Sequence, residues 1–311
     1  MEISLVIPVY NEEALIDELI RRSLACLRQF SKSFEIIVVD DGSTDGCLQK
    51  LIAQQRNCRQ IKVISLSRNF GHPAAFTAGL EHAAGDYIAM MDGDLQDPPE
   101  LLESMYRKLM AEGYDVVSGK RTARRGNKTR NWMSSLFHLL FRKIANLDDP
   151  ENAGNFCMMN RKAAAALLSM TERIRYMPGL RSFIGFRQGF VEYIREDRLK
   201  GTPKMSHLKL LYLAADAIFS FSRLPIRICL ILGLAGTLIF MLAGIYVLTA
   251  KIAGFAIVGW SSTVLSIYFL GSVQLIFLGV LGEYVYRIYK ESQKRPLYFI
   301  EEIYQSEEGK E

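Results

Sequence analysis

The chain has 311 residues, 50% of them hydrophobic, with a formal net charge of +5. That length suits one sizeable domain with added elements, or two domains. Five scattered cysteines (Cys26, Cys47, Cys58, Cys157 and Cys229) form no CxxC pair, which argues against a disulfide framework and against a structural zinc site.

The first 118 residues alternate apolar runs with helix-like segments. "ISLVIPV" (Ile3 to Val9) reads as a buried strand, followed by helical periodicity from Glu12 to Phe30. "EIIVVDD" (Glu35 to Asp41) and a helix from Asp45 to Gln55 come next. "IKVISLS" (Ile61 to Ser67) precedes the helix "HPAAFTAGLEHAA", and "DYIAMMD" precedes a helix from Pro98 to Glu112 whose prolines suit its first turn. "YDVVSG" is a fifth strand. A run beginning this way lacks the charged and apolar regions of a signal peptide. The βα alternation predicts an α/β domain with a mostly parallel sheet and helices on both faces. Ligands of such sheets bind beyond the carboxyl ends of the strands. Polar residues collect there: Pro8-Val9-Tyr10-Asn11-Glu12, Asp40-Asp41-Gly42-Ser43, Ser67-Arg68-Asn69 and Asp92-Gly93-Asp94.

Two carboxylates at i and i+2 around a glycine can both turn toward one hard cation. Mg²⁺ or Mn²⁺ takes oxygen ligands and commonly shares them with a diphosphate. No GxGxxG follows the first strand and no GxxxxGK[ST] occurs, so a dinucleotide dehydrogenase and a P-loop NTPase are disfavoured.

Further along, eight basic residues and no acid lie between Asp115 and Asp148. "NWMSSLFHLLFRKIA" in that span is amphipathic, and the segment 119–147 reads as a helix in a membrane interface. A solvated face is the plainer alternative; the sheet motifs and the apolar spans argue against nucleic acid. The next basic stretch is "REDRLKGTPK". An amphipathic juxtamembrane segment is expected at 206–227. Then 23 uncharged residues (Ile228 to Ala250) and 31 more (Ile252 to Gly282) flank Lys251. About 20 apolar residues cross a bilayer, so 228–286 reads as two membrane-spanning helices. Arg223 and Arg227 precede the hairpin, and Arg287, Lys290, Lys294 and Arg295 follow it, which places both ends in the cytoplasm by the positive-inside rule. Residues 287–311 are left as a cytoplasmic tail.

"IPVYNEE", "VVDDGSTDG", "SRNFGHPAAFTAGL", "DGDLQDPPE" and "GKR" occur in the order and at about the spacing of the family 2 glycosyltransferases with a GT-A fold. The chain most resembles their polyprenyl-phosphate branch, the dolichol-phosphate mannose synthases and the bacterial undecaprenyl-phosphate glycosyltransferases. "DAIFSFSRLPIR" and "LGEYVYRIYKESQKRPLYFI" resemble the segments around the hairpin in the bacterial members. No QxxRW motif of the processive synthases is present. The resemblance implies that Pro8, Tyr10 and Glu12 hold base and ribose, with Asp40 and Asp41 in the second nucleotide loop. It implies that Asp92, Asp94 and Gln96 hold the metal and diphosphate. It implies that Arg121 and Arg130, then Arg198 and Lys204, face the acceptor phosphate, although Pro203 and Met205 replace the usual serine and tyrosine. The family's GDFRLL reads Gly154-Asn155-Phe156-Cys157-Met158-Met159, so Asn155 stands where an aspartate is often proposed to act on the acceptor. An amide is no general base; a phosphate monoester with a second pKa near ~6 is mostly a dianion at neutral pH and needs none.

The expected activity is inverting transfer of one sugar, UDP-glucose being the preferred donor, to undecaprenyl phosphate at the cytoplasmic membrane face. Mg²⁺ or Mn²⁺ is the expected cofactor, and the oligomeric state is open. The alternatives are the same reaction with GDP-mannose or a UDP-amino sugar, and a non-catalytic lipid-sugar assembly or flippase subunit.

Overall fold

Seven consecutive buried residues form β1 (Ile3–Val9), and seven more form β2 (Phe34–Asp40). Strands covered on both faces read as continuous apolar runs, which is why they stand out in the sequence. The computed structural model describes residues 1–121, 153–173, 175–194, 224–253 and 259–306. The chain divides into two units, Met1–Met205 with Arg295–Glu311, and Ser206–Lys294.

In the first unit β1 and β2 are followed by β3 (Ile61–Leu66), β4 (Tyr87–Met90), β5 (Val116–Arg121), β6 (Ala153–Asn160), β7 (Gln188–Tyr193) and β8 (Ile300–Tyr304). They form one sheet in the order β7-β5-β6-β4-β1-β2-β3-β8. β1 to β4 run parallel, and β5 and β7 share their direction; β6 and β8 oppose it. The sheet is therefore mixed but mostly parallel, as the βα alternation predicts. Helices α1 (Ile16–Phe30), α2 (Cys47–Asn57) and α4 (Leu101–Glu112) pack together on one face; α3 (His72–Glu81) and α5 (Arg161–Ser169) pack on the other, and α6 (Met177–Phe183) follows α5.

Local chemistry sets the helix bounds. Asp17 and Glu18 open α1 and Arg28 lies in its last turn, both favourable to the helix dipole. α1 starts at Ile16, later than the periodicity suggests, because Leu15 N–H bonds the Glu12 carbonyl (2.9 Å) in a preceding turn. Asn160 caps α5 by accepting from Ala163 N–H (2.9 Å). Ile3, Leu5, Ile7, Ile36 and Val38 pack with Leu19, Leu27, Leu51, Leu102 and Met105 in the main core.

Strand order decides where a ligand sits. β1 lies between β2 and β4, so the chain leaves β1 on one side and later returns to its other side. The strand order reverses at this point, and the crevice beyond the carboxyl ends of β1 and β4 is where sheets of this kind bind ligands.

The second unit holds α7 (Leu224–Ile252) and α8 (Trp260–Ser292). At ~1.5 Å per residue they reach roughly 43 and 50 Å, against ~30 Å of hydrocarbon. Both are long and apolar enough to cross a membrane. Leu230, Ile239, Leu275 and Ile276 are each more than 60% exposed, which suits lipid and is unfavourable in water. Residues 224–227 belong to α7, and most of the segment 206–227 lies outside the described residues.

Candidate active site

The loops beyond β1, β2 and β3 are laced together. Asn11 is left-handed (φ 52°). Its N–H donates to Ser43 Oγ (3.0 Å), and its Oδ1 accepts from Thr44 N–H (2.8 Å). Gly46 N–H donates to Glu13 Oε2 (3.1 Å). Asp41 N–H bonds the Val9 carbonyl (2.9 Å), and the Asp41 carboxylate accepts from Phe70 N–H (2.8 Å) and Gly71 N–H (3.0 Å). Gly42 (φ 67°) lets this happen: a Cβ there would lie 2.5 Å from the Arg68 carbonyl carbon. Asp40 and Asp41 are 1% and 3% exposed. Burial raises both above the ordinary carboxylate pKa, although Ser43 donates to Asp40 and two N–H groups donate to Asp41. Asp40 Oδ1 is buried with no hydrogen-bond partner among the described residues. An orphaned buried acceptor beside exposed Tyr10 and half-buried Glu12 suits a donor-bearing ligand such as a nucleoside.

Past β4 lies the acidic loop. Gly93 sits so close to the end of β1 that a Cβ would meet Val9 Cγ1 at 2.7 Å. Asp92 Oδ1 accepts from Asn155 Nδ2 (3.3 Å) and lies 3.1 Å from His72 Nε2. Burial would raise the Asp92 pKa, but the His72 hydrogen bond and charge, then Asn155 and Arg121, hold it below the usual carboxylate range. Burial works against a charged His72; its bond to Asp92, with the charges of Asp92, Asp41 and Asp94, outweighs this and raises its pKa. Leu95 is left-handed (φ 56°), and Gln96 bonds Asp94 Oδ1 through its backbone N–H (3.2 Å). Among the described residues both bonds to Asp92 fall on Oδ1. Among those residues, too, no three His, Cys, Asp or Glu side chains are grouped to cage a metal alone. Two carboxylates without a cage fit a hard cation that draws further oxygens from a bound diphosphate.

Arg121 ends β5 beside this loop. Its guanidinium lies 3.4 Å from Asp97 Oδ2, and its Nε donates to Tyr193 Oη (3.1 Å). Tyr193 Oη in turn donates to Asp97 Oδ1, and Asp97 has no exposed surface. The Arg121 side chain keeps 27% of its surface exposed. Buried Arg181 donates to the Gly154 carbonyl (3.0 Å), next to Asn155.

The structure thus brings Pro8, Tyr10, Glu12, Asp40, Asp41, Asp92, Asp94, Gln96 and Asn155 to one carboxyl edge, with Arg121 beside them. Arg130, Arg198 and Lys204 lie outside the described residues. The sequence reading missed His72, Asp97 and Tyr193. His72 lies within the quoted "SRNFGHPAAFTAGL", the first residue of α3 and next to the Gly71 N–H that serves Asp41. Asp97 is one acid among several in its loop, and nothing in the sequence marks it as the inward one.

The profile of Glycosyl transferase family 2 matches residues 4–168. An uncharacterised glycosyltransferase of Synechocystis is 40% identical over 98% of this chain and 96% of its own length. A bactoprenol glucosyl transferase of Shigella phage SfV is 37% identical over 96% of this chain and 98% of its own. The prophage bactoprenol glucosyl transferase homolog of Escherichia coli K12 is 38% identical, over 97% and 99%. Among solved structures, glucosyl-3-phosphoglycerate synthase of Mycobacterium tuberculosis overlays with a TM-score of 0.47 and 21% identity, covering 71% of this chain and 78% of that one.

Proposed function

The chain belongs to glycosyl transferase family 2, and from that premise we propose that it moves glucose from UDP-glucose to undecaprenyl phosphate. The observation that carries the proposal is that the likeness to the bactoprenol glucosyl transferases runs through sheet and hairpin alike. The paired acids at the switch point support it, and so does the orphaned Asp40 oxygen.

The donor lies across the crevice, with its base and ribose at Pro8, Tyr10, Glu12, Asp40 and Asp41 and its diphosphate toward Asp92 and Asp94. An oxygen of the lipid phosphate attacks the anomeric carbon from the side opposite the diphosphate. The new carbon–oxygen bond forms as the bond to the β-phosphate breaks, the electron pair leaves with UDP, and the configuration inverts. A divalent cation such as Mg²⁺ or Mn²⁺, held by Asp92 and Asp94 with Gln96 nearby, would neutralise the charge gathering on the leaving diphosphate. His72 and Asn155 keep Asp92 oriented and ionised for that task. Arg121, Arg130, Arg198 and Lys204 are proposed for the acceptor phosphate; Arg121 can serve because a guanidinium carries five N–H donors and Asp97 and Tyr193 use only part of them. No base is needed where the nucleophile arrives as a dianion; orientation and charge neutralisation suffice. α7 and α8 anchor the chain with both ends of the hairpin in the cytoplasm.

Membranes carrying the protein, given each labelled nucleotide sugar and separated by thin-layer chromatography, test this reading. UDP-glucose should yield a glucosylated lipid. A product from GDP-mannose or a UDP-amino sugar alone would replace the donor. No lipid product from any donor, with metal supplied, would overturn the catalytic reading in favour of an assembly or flippase role.

A further inference from the structure

Loop 67–72, taken to include the first residue of α3, carries much of the donor side: Phe70 and Gly71 donate to Asp41, and His72 pairs with Asp92. Its inner side rests on Gly42. Its outer side is held by a segment more than two hundred residues away in sequence. β8 runs antiparallel to β3 up to the pair Leu66↔Ile300. One residue beyond the strand, the Phe299 carbonyl accepts from Ser67 N–H (3.0 Å). The Phe299 ring meets the Phe70 ring at 6.1 Å, within the range of favourable aromatic pairs, and the Arg68 guanidinium lies over the Phe70 ring, 4.5 Å from its centroid. Tyr298 reaches α3 itself, with its hydroxyl bonded to Glu81 in the last turn.

We propose that Phe299, seconded by Tyr298, is a positioning residue that clamps loop 67–72 in its donor-binding form. This rests on the reading of the crevice as a nucleotide-sugar site. Phe299 is 55% exposed and sits outside the main core, so its ring contributes little to folding. Its contacts go to the loop that serves Asp41 and Asp92, so its removal is felt as misplacement of ligands there. The clamp leads directly from α8: only residues 293–297 separate Ser292 from Tyr298. An element that continues a membrane helix thereby supports the nucleotide pocket.

The test uses the full-length chain in detergent with Phe299→Ala, Phe299→Tyr and Tyr298→Phe. Phe299→Ala should raise the KM for the nucleotide sugar about tenfold and leave the KM for polyprenyl phosphate within twofold; Phe299→Tyr should restore the donor KM to within twofold of wild type. Hydrogen exchange of peptides covering 67–72 should quicken at least tenfold in Phe299→Ala, with peptides of β1 and β2 unchanged, and Tyr298→Phe should shift the same peptides less. An unchanged donor KM with unchanged exchange, or an equal rise in both KM values, overturns the clamp. Calorimetry of the wild type with UDP and GDP separates this from the parent reading. If neither nucleotide binds, the donor assignment falls, and the exchange result still decides whether Phe299 holds the loop.

Discussion

Asp92 shows how much one side chain is asked to do. It receives His72 and Asn155 on one oxygen, and its carboxylate stays ionised despite burial because those donors favour the charge. Asp94, two residues on, is only half-buried and contributes little to packing. Asp94→Ala should therefore abolish transfer while leaving the circular-dichroism spectrum and the melting temperature close to wild type. EDTA should reproduce the loss, and Mg²⁺ or Mn²⁺ should reverse it; an alanine variant turning over at the wild-type rate would remove Asp94 from the metal and diphosphate site. Asn155 poses a sharper question. Its amide donates to Asp92, so Asn155→Asp would exchange a donor for a second negative charge at the same place. Like charges that close disfavour joint ionisation. The rate at neutral pH should change by less than about tenfold, far from the ~10²–10⁴-fold gain of a restored general base. The wild-type rate should climb through the second ionisation of the lipid phosphate near ~6 and then level off. A gain of about a hundredfold in Asn155→Asp would mean instead that the chain lacks its base.

Elements are held in the crevice by close approach of backbones, and Gly42 is the tightest point. It combines a left-handed φ with contact against the Arg68 and Asn69 backbone, where nothing flexible can yield. Gly42→Ala should cost about 1–3 kcal/mol from the left-handed backbone and the displaced loop, and should weaken UDP binding more than it lowers stability. Calorimetry beside a denaturant melt checks both; full UDP affinity in that variant would show that loop 67–72 can move away without harm to the site. The same elements show what can be read in a sequence. β1 to β4 are legible because central parallel strands are predominantly apolar runs, each ending on a polar cluster. β6 escapes because Gly154 and Asn155 sit inside it and read as a turn; the register with β5 shifts there, between Ala153 and Cys157, before Cys157–Asn160 pair with β4. β8 escapes for a different reason. "IEEIY" has two adjacent glutamates and no alternation, and on an edge strand such charges protect against pairing with other chains. The site acids were legible by their place after strands. His72 and Asp97 were not, because their roles depend on partners contributed by other elements: the loop after β4 for His72, and the ends of β5 and β7 for Asp97.

At the scale of the whole molecule, the catalytic unit is discontinuous. By sequence the nucleotide-sugar domain closes at about residue 205, and every donor motif lies at or before Glu100, so a chain cut after Pro203 looks self-sufficient for UDP binding. β8 alters that expectation. It supplies the outer edge of the sheet from beyond the hairpin, and Gln55 also bonds Ser306 (3.2 Å) just past the strand. A chain ended after Pro203 loses both spans and β8; a chain ended after Gln293 keeps the spans and loses only β8 with its clamp. In both, β3 becomes an edge strand with a bare row of N–H and C=O groups, a ready template for pairing with another copy. Both shortened chains should therefore self-associate in light scattering and bind UDP more weakly than the full chain. Only the chain ended after Pro203 should also leave the membrane fraction or fall sharply in vesicle flotation, because the apolar spans dominate partition into lipid. Transfer to a long polyprenyl phosphate should collapse in that chain, since the acceptor is presented from the bilayer. A monomeric fragment 1–203 with wild-type UDP affinity would show that β8 is dispensable to the sheet. Equal activity of that fragment on the long lipid would show that the hairpin serves only as a tether.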